Sequence, residues 1–244
     1  MQNSENDLLS ATERYLRQQE ELFGETLYRA SAQAVPASTP APSPAPSTAA
    51  AASGEAWTNT GSLEELNAQI CSCMKCALGT TRTKFVFGVG NPRSRVVFIG
   101  EAPGADEDAQ GEPFVGRAGQ LLNKILEAIQ LKREEVYICN ILKCRPPNNR
   151  APLPEESEAC TPYLMKQLDL IRPQFIVCLG RTAAQWLLKT NDTLGAMRGK
   201  VHEYRGIRLI VTYHPAALLR NPEWKRPTWE DMQLFKKLYD ESRP

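Results

Sequence analysis

The residues able to do chemistry gather in a few polar stretches, each beside an apolar run. Cys73-Met74-Lys75-Cys76 is a C-x-x-C pair, with Cys71 just upstream. Cys144 and Cys160 follow on later polar segments, 16 residues apart. Four thiolates so placed suit all-sulfur ligation of Zn²⁺ or of an iron–sulfur cluster. A zinc ribbon shows two close pairs, and the second pair here is widely spaced, so a cubane 4Fe–4S cluster fits at least as well. Spacing leaves the claim of Cys71 on a ligand position open. Cys139 and Cys178 lie inside apolar runs and read as core thiols.

The stretch GEAPGADEDAQGEPFVG, residues 100–116, joins a strand-like run, 95–99, to a helix-like run, 120–126. Glycine-rich turns in that setting often cradle phosphate. Glu101, Asp106, Glu107, Asp108 and Glu112 would repel one. The loop therefore faces something other than phosphate, with several of its carboxylates capping the next helix or staying in water.

Three further side chains complete a constellation. His214, one of two histidines in the chain, follows an apolar run and precedes Pro215 in the stretch His214–Arg220. The other, His202, lies between presumed strands and reads as structural or surface. Asn140 closes a strand-like run; its amide offers a donor and an acceptor, the geometry that reads the edge of a base. The bland alternative is an asparagine capping a turn. Phe114, between Pro113 and Val115, is a hydrophobic anchor or a stacking face for a flat ligand. A phenyl face, an amide edge and an imidazole together suit a nucleobase. Its phosphates would go to Arg145, Arg150, Arg181, Arg198, Lys200 and Arg220.

Short, wholly apolar runs at Val96–Ile99, Val136–Leu142, Phe175–Leu179 and Leu209–Tyr213 read as strands buried on both faces. Helical patterns over 117–130, 154–171, 181–189 and 227–241 separate or follow them. A shorter helix opens at Ser62-Leu63-Glu64-Glu65, an N-cap with an acid three positions on. This alternation predicts an α/β fold with a mainly parallel sheet. In such sheets ligands bind beyond the carboxyl ends of the strands. Gly100–Gly104, Asn140–Cys144, Gly180–Thr182 and His214–Arg220 all occupy such ends.

Residues 62–244 form the expected domain. Residues 31–61 have the Ala/Pro/Ser composition of a disordered linker, and residues 1–30 carry an amphipathic helical pattern, that of a solvated or loosely docked helix or of one that binds a protein partner. The 244-residue chain has a formal net charge of +1, so any nucleic-acid contact rests on a local patch. No apolar run approaches membrane-spanning length, and the N-terminus lacks the pattern of a secretory signal. A cytoplasmic protein with no membrane contact is expected, and nothing predicts an oligomer, so a monomer is.

Gly100–Gly104, Gly111–Gly119, Asn140–Pro147 and His214–Arg220, in that order, closely resemble the motifs of the family 4 uracil-DNA glycosylases. The resemblance runs from about residue 62 to the end. It implies a three-layer α/β/α domain with a central four-stranded parallel sheet. It implies a 4Fe–4S cluster on Cys73, Cys76, Cys144 and Cys160, leaving Cys71 free. It implies removal of uracil from single- or double-stranded DNA, initiating base excision repair. Phe114 would stack on the flipped uracil, and Asn140 would pair with its O4/N3 edge. His214 would donate to O2, and the general base for water is left unassigned, with Glu101, the second candidate catalytic residue, and Glu107 the nearby carboxylates. Gly100, Ala102 and Gly104 would line the pocket, and Glu107 would limit space near C5. Leu218 would fill the gap in the base stack, and Arg220 would hold a phosphate. Ala102 stands where other uracil-DNA glycosylase families place a water-activating Asp, so slower turnover is expected. The rival expectation is a uracil- or abasic-DNA binding module with little catalysis, tethered to repair or replication machinery.

Overall fold

The computed structural model describes residues 55–242. The amphipathic segment 1–30 and most of the linker lie outside them. Residues 55–61, which composition assigned to the linker, are folded. Ala56–Asn59 make a 3-10 turn, and Trp57 packs edge-on against Tyr163 with ring centroids 4.9 Å apart. Among the described residues no helix is long and apolar enough to cross a membrane.

Along the chain come α1 (Leu63–Ile70), α2 (Leu78–Thr81), β1 (Val89–Gly90), β2 (Val96–Gly100), α3 (Ala105–Gln110) and α4 (Arg117–Ala128). Then follow β3 (Tyr137–Asn140), α5 (Pro154–Ile171), β4 (Phe175–Leu179), α6 (Arg181–Leu188) and α7 (Leu194–Met197). The chain closes with β5 (Val201–Tyr204), β6 (Ile207–Thr212), α8 (Pro215–Arg220) and α9 (Lys225–Glu241). Ser62 caps α1 as its sequence suggests: its Oγ accepts from Glu65 N–H at 3.1 Å, and the Glu65 carboxylate accepts from Gly61 N–H at 2.8 Å.

The sheet runs β1-β3-β2-β4-β6-β5. Its four inner strands are parallel, as expected. The sheet has six strands rather than four, because β1 and β5 add antiparallel edges. β1 has only two residues, too few to show a period. β5 alternates exposed and half-buried positions and has no apolar run to read. It pairs with β6 through a tight hairpin in which Arg205 and Gly206 both have positive φ, the type I′ geometry that matches strand twist.

Two cores on opposite faces of the sheet make the three layers. Val97 and Ile99 of β2 face one core with Leu66 of α1, Leu164 and Leu168 of α5 and Ala183 of α6. Val96 and Phe98 face the other with Leu122 and Leu126 of α4 and Phe235 of α9. The period of two along a strand sends successive residues to opposite faces. Both sides are covered, so β2 and β4 are buried at every position. Phe98 and Phe175 pack edge-on against Phe235. Each such side chain contributes roughly 1.5–3 kcal/mol on burial.

β2 is central in function. The chain passes from β2 to β3 on one side, then returns to place β4 on the other. Loops diverge at such a switch point and leave a crevice beyond the strand end.

Candidate active site

A cavity of about 370 Å³ opens beyond the carboxyl end of β2, within the range of small-ligand sites. Its wall combines Glu101, Ala102, Gly104 and Glu107 from the acidic loop, Phe114, Asn140, and His214 and Arg220 from the last segment. The structure thus brings together residues up to 119 positions apart that the sequence singled out separately. Ala118, Pro146, Asn149 and Arg150 also line it. Asn149 lies just past the Asn140–Pro147 motif, and nothing in the sequence marks it as a site residue.

The acidic loop holds its own backbone. Glu107 Oε2 accepts from Gly104 N–H at 3.0 Å. Its Oε1 accepts from Val115 N–H at 3.0 Å and Gly116 N–H at 3.1 Å. Asp108 Oδ1 accepts from Thr83 N–H at 2.9 Å. Glu107 therefore touches the cavity, but its oxygens are committed to positioning. Glu101 is the other carboxylate on the wall.

Those contacts fix Phe114 in a conformation it would not choose. Its φ is 54°, and such backbone strain costs of order 1–3 kcal/mol. The side chain is nonetheless 5% exposed, with its ring 5.4 Å from that of His214. Gly119 lets α4 approach this turn: a Cβ there would lie 1.8 Å from the Phe114 carbonyl oxygen. Gly100 does not line the cavity but lets its floor form. A Cβ on Gly100 would lie 2.4 Å from Asn140 Oδ1 and 2.7 Å from Phe114 Cζ.

Asn140 ends β3 and is 2% exposed. Its Oδ1 is the one buried side-chain nitrogen or oxygen without a partner among the described residues. An acceptor so stranded costs about 1–3 kcal/mol. A ligand N–H in the cavity would remove that cost.

His214 caps α8, its Nδ1 accepting from Ala216 N–H at 3.1 Å. The ring proton is thereby assigned to Nε2. Burial lowers the imidazole pKa to about 4; Arg220 pushes the same way and Glu107 opposes. At neutral pH this is a neutral imidazole with an Nε2–H to donate. His202 bonds through Nε2 to Met197 O at 2.6 Å, half-buried in β5, as a structural residue would.

Three sequence expectations need correction. Residues 215–220, which carry Leu218, form a helix. Its buried positions are Pro215 and Leu218, an i, i+3 pair. Leu218 is 2% exposed and cannot enter a base stack as the structure stands; Leu219, one residue round the helix, is 41% exposed. Arg198 is also not free for phosphate. It makes two 3.0 Å bonds to the buried Asp231. Arg150 is paired in a fork with Glu156 at 2.6 and 2.9 Å. Arg220 remains exposed at the cavity rim.

A second cluster lies behind this wall. Cys144 and Cys160 are buried, with Cys73 and Cys76 packed against the same core. Cys73 and Cys76 lie close enough to Cys144, and Cys76 and Cys144 to Cys160, for their charges to interact. Burial raises the pKa of Cys144, and that of Cys160 to about 12. Donors surround the sulfurs. Arg82 Nη1 reaches Cys144 Sγ at 3.3 Å and Cys73 O at 2.6 Å. Lys143 N–H reaches Cys160 Sγ at 3.3 Å, and Tyr163 Oη reaches Cys73 Sγ at 3.2 Å. Cys71 is exposed, its Sγ turned to Ala68 O. Among the described residues no three of His, Cys, Asp or Glu can share one metal ion. A tetrahedral Zn²⁺ with bonds of about 2.3 Å needs sulfurs about 3.8 Å apart. A 4Fe–4S cluster takes each of four thiolates on a different iron and asks for no such sharing. Arg82 left no sequence signal.

Residues 87–234 match the model of the uracil DNA glycosylase superfamily. That span holds every cavity residue. The chain belongs to this superfamily. Within it, the chain is 48% identical over 191 residues to the type-4 uracil-DNA glycosylase of Archaeoglobus fulgidus, covering 75% of this chain and 96% of that protein. It is 42% identical over 184 residues to the type-4 enzyme of Thermotoga maritima, covering 74% and 96%. Similarity to the type-5 uracil-DNA glycosylase of Pyrobaculum aerophilum is lower, 33% over 146 residues, 53% of this chain and 64% of that protein. The type-4 family is therefore where this glycosylase chain sits, and Cys73 and Cys76 lie ahead of the superfamily match.

Proposed function

We propose that the chain hydrolyses the N-glycosidic bond of uracil in DNA, a uracil-DNA glycosylase that begins base excision repair. The unpartnered Oδ1 of Asn140, set in the cavity beside Phe114 and His214, carries this reading. Uracil N3–H would donate to that oxygen, and the Asn140 amide N–H would donate to O4. Cytosine reverses both and leaves two buried groups unpaired. The nucleotide must leave the duplex to reach the cavity, at a cost of a few kcal/mol.

As the C1′–N1 bond breaks, uracil takes the electron pair and the sugar becomes cationic. The Nε2–H of His214 donates toward O2, where negative charge grows. Water supplies its oxygen to C1′, and solvent protonates the released base. Ala102 offers no carboxylate for that water, so Glu101 is the wall residue assigned to orient it. Gly100→Ala should lower kcat/KM at least ten-fold and also lower the melting temperature, because the new methyl displaces the buried Asn140 and Phe114. Steady-state kinetics beside a melting curve checks this.

Leu219, not Leu218, fills the gap left by the flipped nucleotide, as apolar wedges do in bent duplexes. Leu219→Ala should reduce excision from duplex DNA several-fold more than from single strands. Equal losses on both would remove Leu219 from this role. Arg220 binds a backbone phosphate.

Cys73, Cys76, Cys144 and Cys160 hold a 4Fe–4S cluster in this account. The cluster supplies structure and no step of the hydrolysis. Purified protein should contain about four irons per chain. Arg82→Ala should lower that content, measured by iron and sulfide analysis; one zinc per chain would contradict the assignment.

The test of function is an oligonucleotide with one uracil, scored by alkaline cleavage. A break at uracil is expected. Tight binding with no break would replace the enzyme by a uracil- or abasic-DNA binding module.

A further inference from the structure

Lys143 is among the largest fully buried side chains of the described residues, with 0% exposure. It lies between Asn140 of the cavity and Cys144 of the sulfur cluster, and it lines neither the cavity nor the surface. Its ammonium donates to the Asn140 carbonyl at 2.9 Å and to Gln167 Oε1 at 2.6 Å. Among the described residues no carboxylate is ion-paired with it. A buried ammonium served mainly by neutral acceptors is costly to keep. Such a group persists where it fixes a geometry that an apolar side chain would leave loose.

The surroundings of Lys143 are equally determined. Gln167 comes from α5, and its Nε2 donates to Phe87 O at 3.0 Å and Tyr137 Oη at 3.1 Å. Its Oε1 is thereby turned toward the ammonium. The Lys143 backbone is held at both ends: its carbonyl accepts from Val86 N–H at 2.8 Å, and its N–H donates to Cys160 Sγ at 3.3 Å. The next link is Asn140 itself. Its peptide plane sets where the side-chain amide points, and the Lys143 bond fixes the carbonyl of that plane as β3 ends.

We propose that Lys143 is a positioning residue for base recognition, acting through Asn140. Its ammonium aims the Asn140 amide into the cavity, and its backbone ties that aim to the segment carrying the cysteines. This rests on the glycosylase reading above. Lys143 never touches the base.

The test is a double-mutant cycle on the full chain, with Lys143→Met, Asn140→Ala and the pair, scored as kcat/KM on a single-uracil oligonucleotide. Iron content and melting temperature are measured on every variant. Lys143→Met should lose at least ten-fold with wild-type iron. Adding Lys143→Met to Asn140→Ala should lose less than two-fold more, because the amide it aims is already gone. Inhibition by free uracil should weaken in Lys143→Met and not change further in the pair. Wild-type kinetics in Lys143→Met, or losses that multiply in the pair, would overturn the proposal. If Lys143→Met lacks iron, Gln167→Met replaces it in the cycle: losses hidden by Asn140→Ala support the proposal, and losses that multiply overturn it. A wild-type protein that cuts no uracil would instead defeat the glycosylase reading.

Discussion

Replacing His214 with alanine is expected to lower kcat for uracil excision by about 10²–10³-fold, the usual effect of losing one preorganised donor to a developing anion. DNA affinity should hardly move, because the donor matters where charge appears in the transition state. The geometry also sets the pH dependence. Ala216 N–H occupies Nδ1, and burial lowers the pKa to about 4. The neutral form already carries the Nε2–H donor, so above about pH 4 this group needs no further proton to act. Excision should therefore hold through pH 5–8 as far as this group decides it. A solvated histidine would begin to protonate near pH 6.5. Stability carries the same sign. Between about pH 4 and 6.5 the unfolded chain binds a proton at His214 that the folded chain refuses, so stability falls as pH drops through that window. Melting curves of wild type and His214→Ala across this range should show a steeper acid loss for wild type. A kcat that drops as pH falls through 6.5, and does so only when His214 is present, would contradict the tautomer and burial described here.

Asn140→Ala is expected to lower kcat/KM by about 10²-fold, or about 2.7 kcal/mol of transition-state binding. Two hydrogen bonds to the base edge disappear together. The protein itself should not be weakened much. Oδ1 has no partner among the described residues, so alanine breaks no side-chain bond to that oxygen and removes a stranded acceptor. A melting temperature unchanged or slightly raised, with activity nearly lost, is the expected signature. A large fall in stability with an equal fall in activity would make Asn140 structural, the turn-capping reading its position also allowed.

The site was more legible in the sequence than the fold around it. Asn140 and His214 fall at ends of apolar runs, where parallel sheets place ligands, and that rule needs no coordinates; Phe114 lies farther along the loop that leaves another such run. The four inner strands are continuous apolar runs because both faces are covered. The edges escaped notice for the opposite reason: β5 has one half-solvated face, and β1 is two residues long. Leu218 and Leu219 show a finer limit. Both are leucines on one short segment, and only the phase of α8, set by the His214 cap, decides which turns outward. Glu107 looked like a specificity residue because it is an acid near the base. Its three backbone bonds belong to a fold that brings residues 104, 107, 115 and 116 together. Arg82 and Lys143 were silent, since a lone basic residue in sequence gives no hint of burial against sulfurs or a carbonyl.

The most direct test of the account is single-turnover release of free base from matched oligonucleotides carrying uracil, cytosine or thymine at one position, followed chromatographically with iron-loaded protein. The account predicts that uracil appears and that cytosine and thymine stay attached. Release of cytosine at a comparable rate would contradict base reading by Asn140, and no release of uracil from bound DNA would contradict the enzyme.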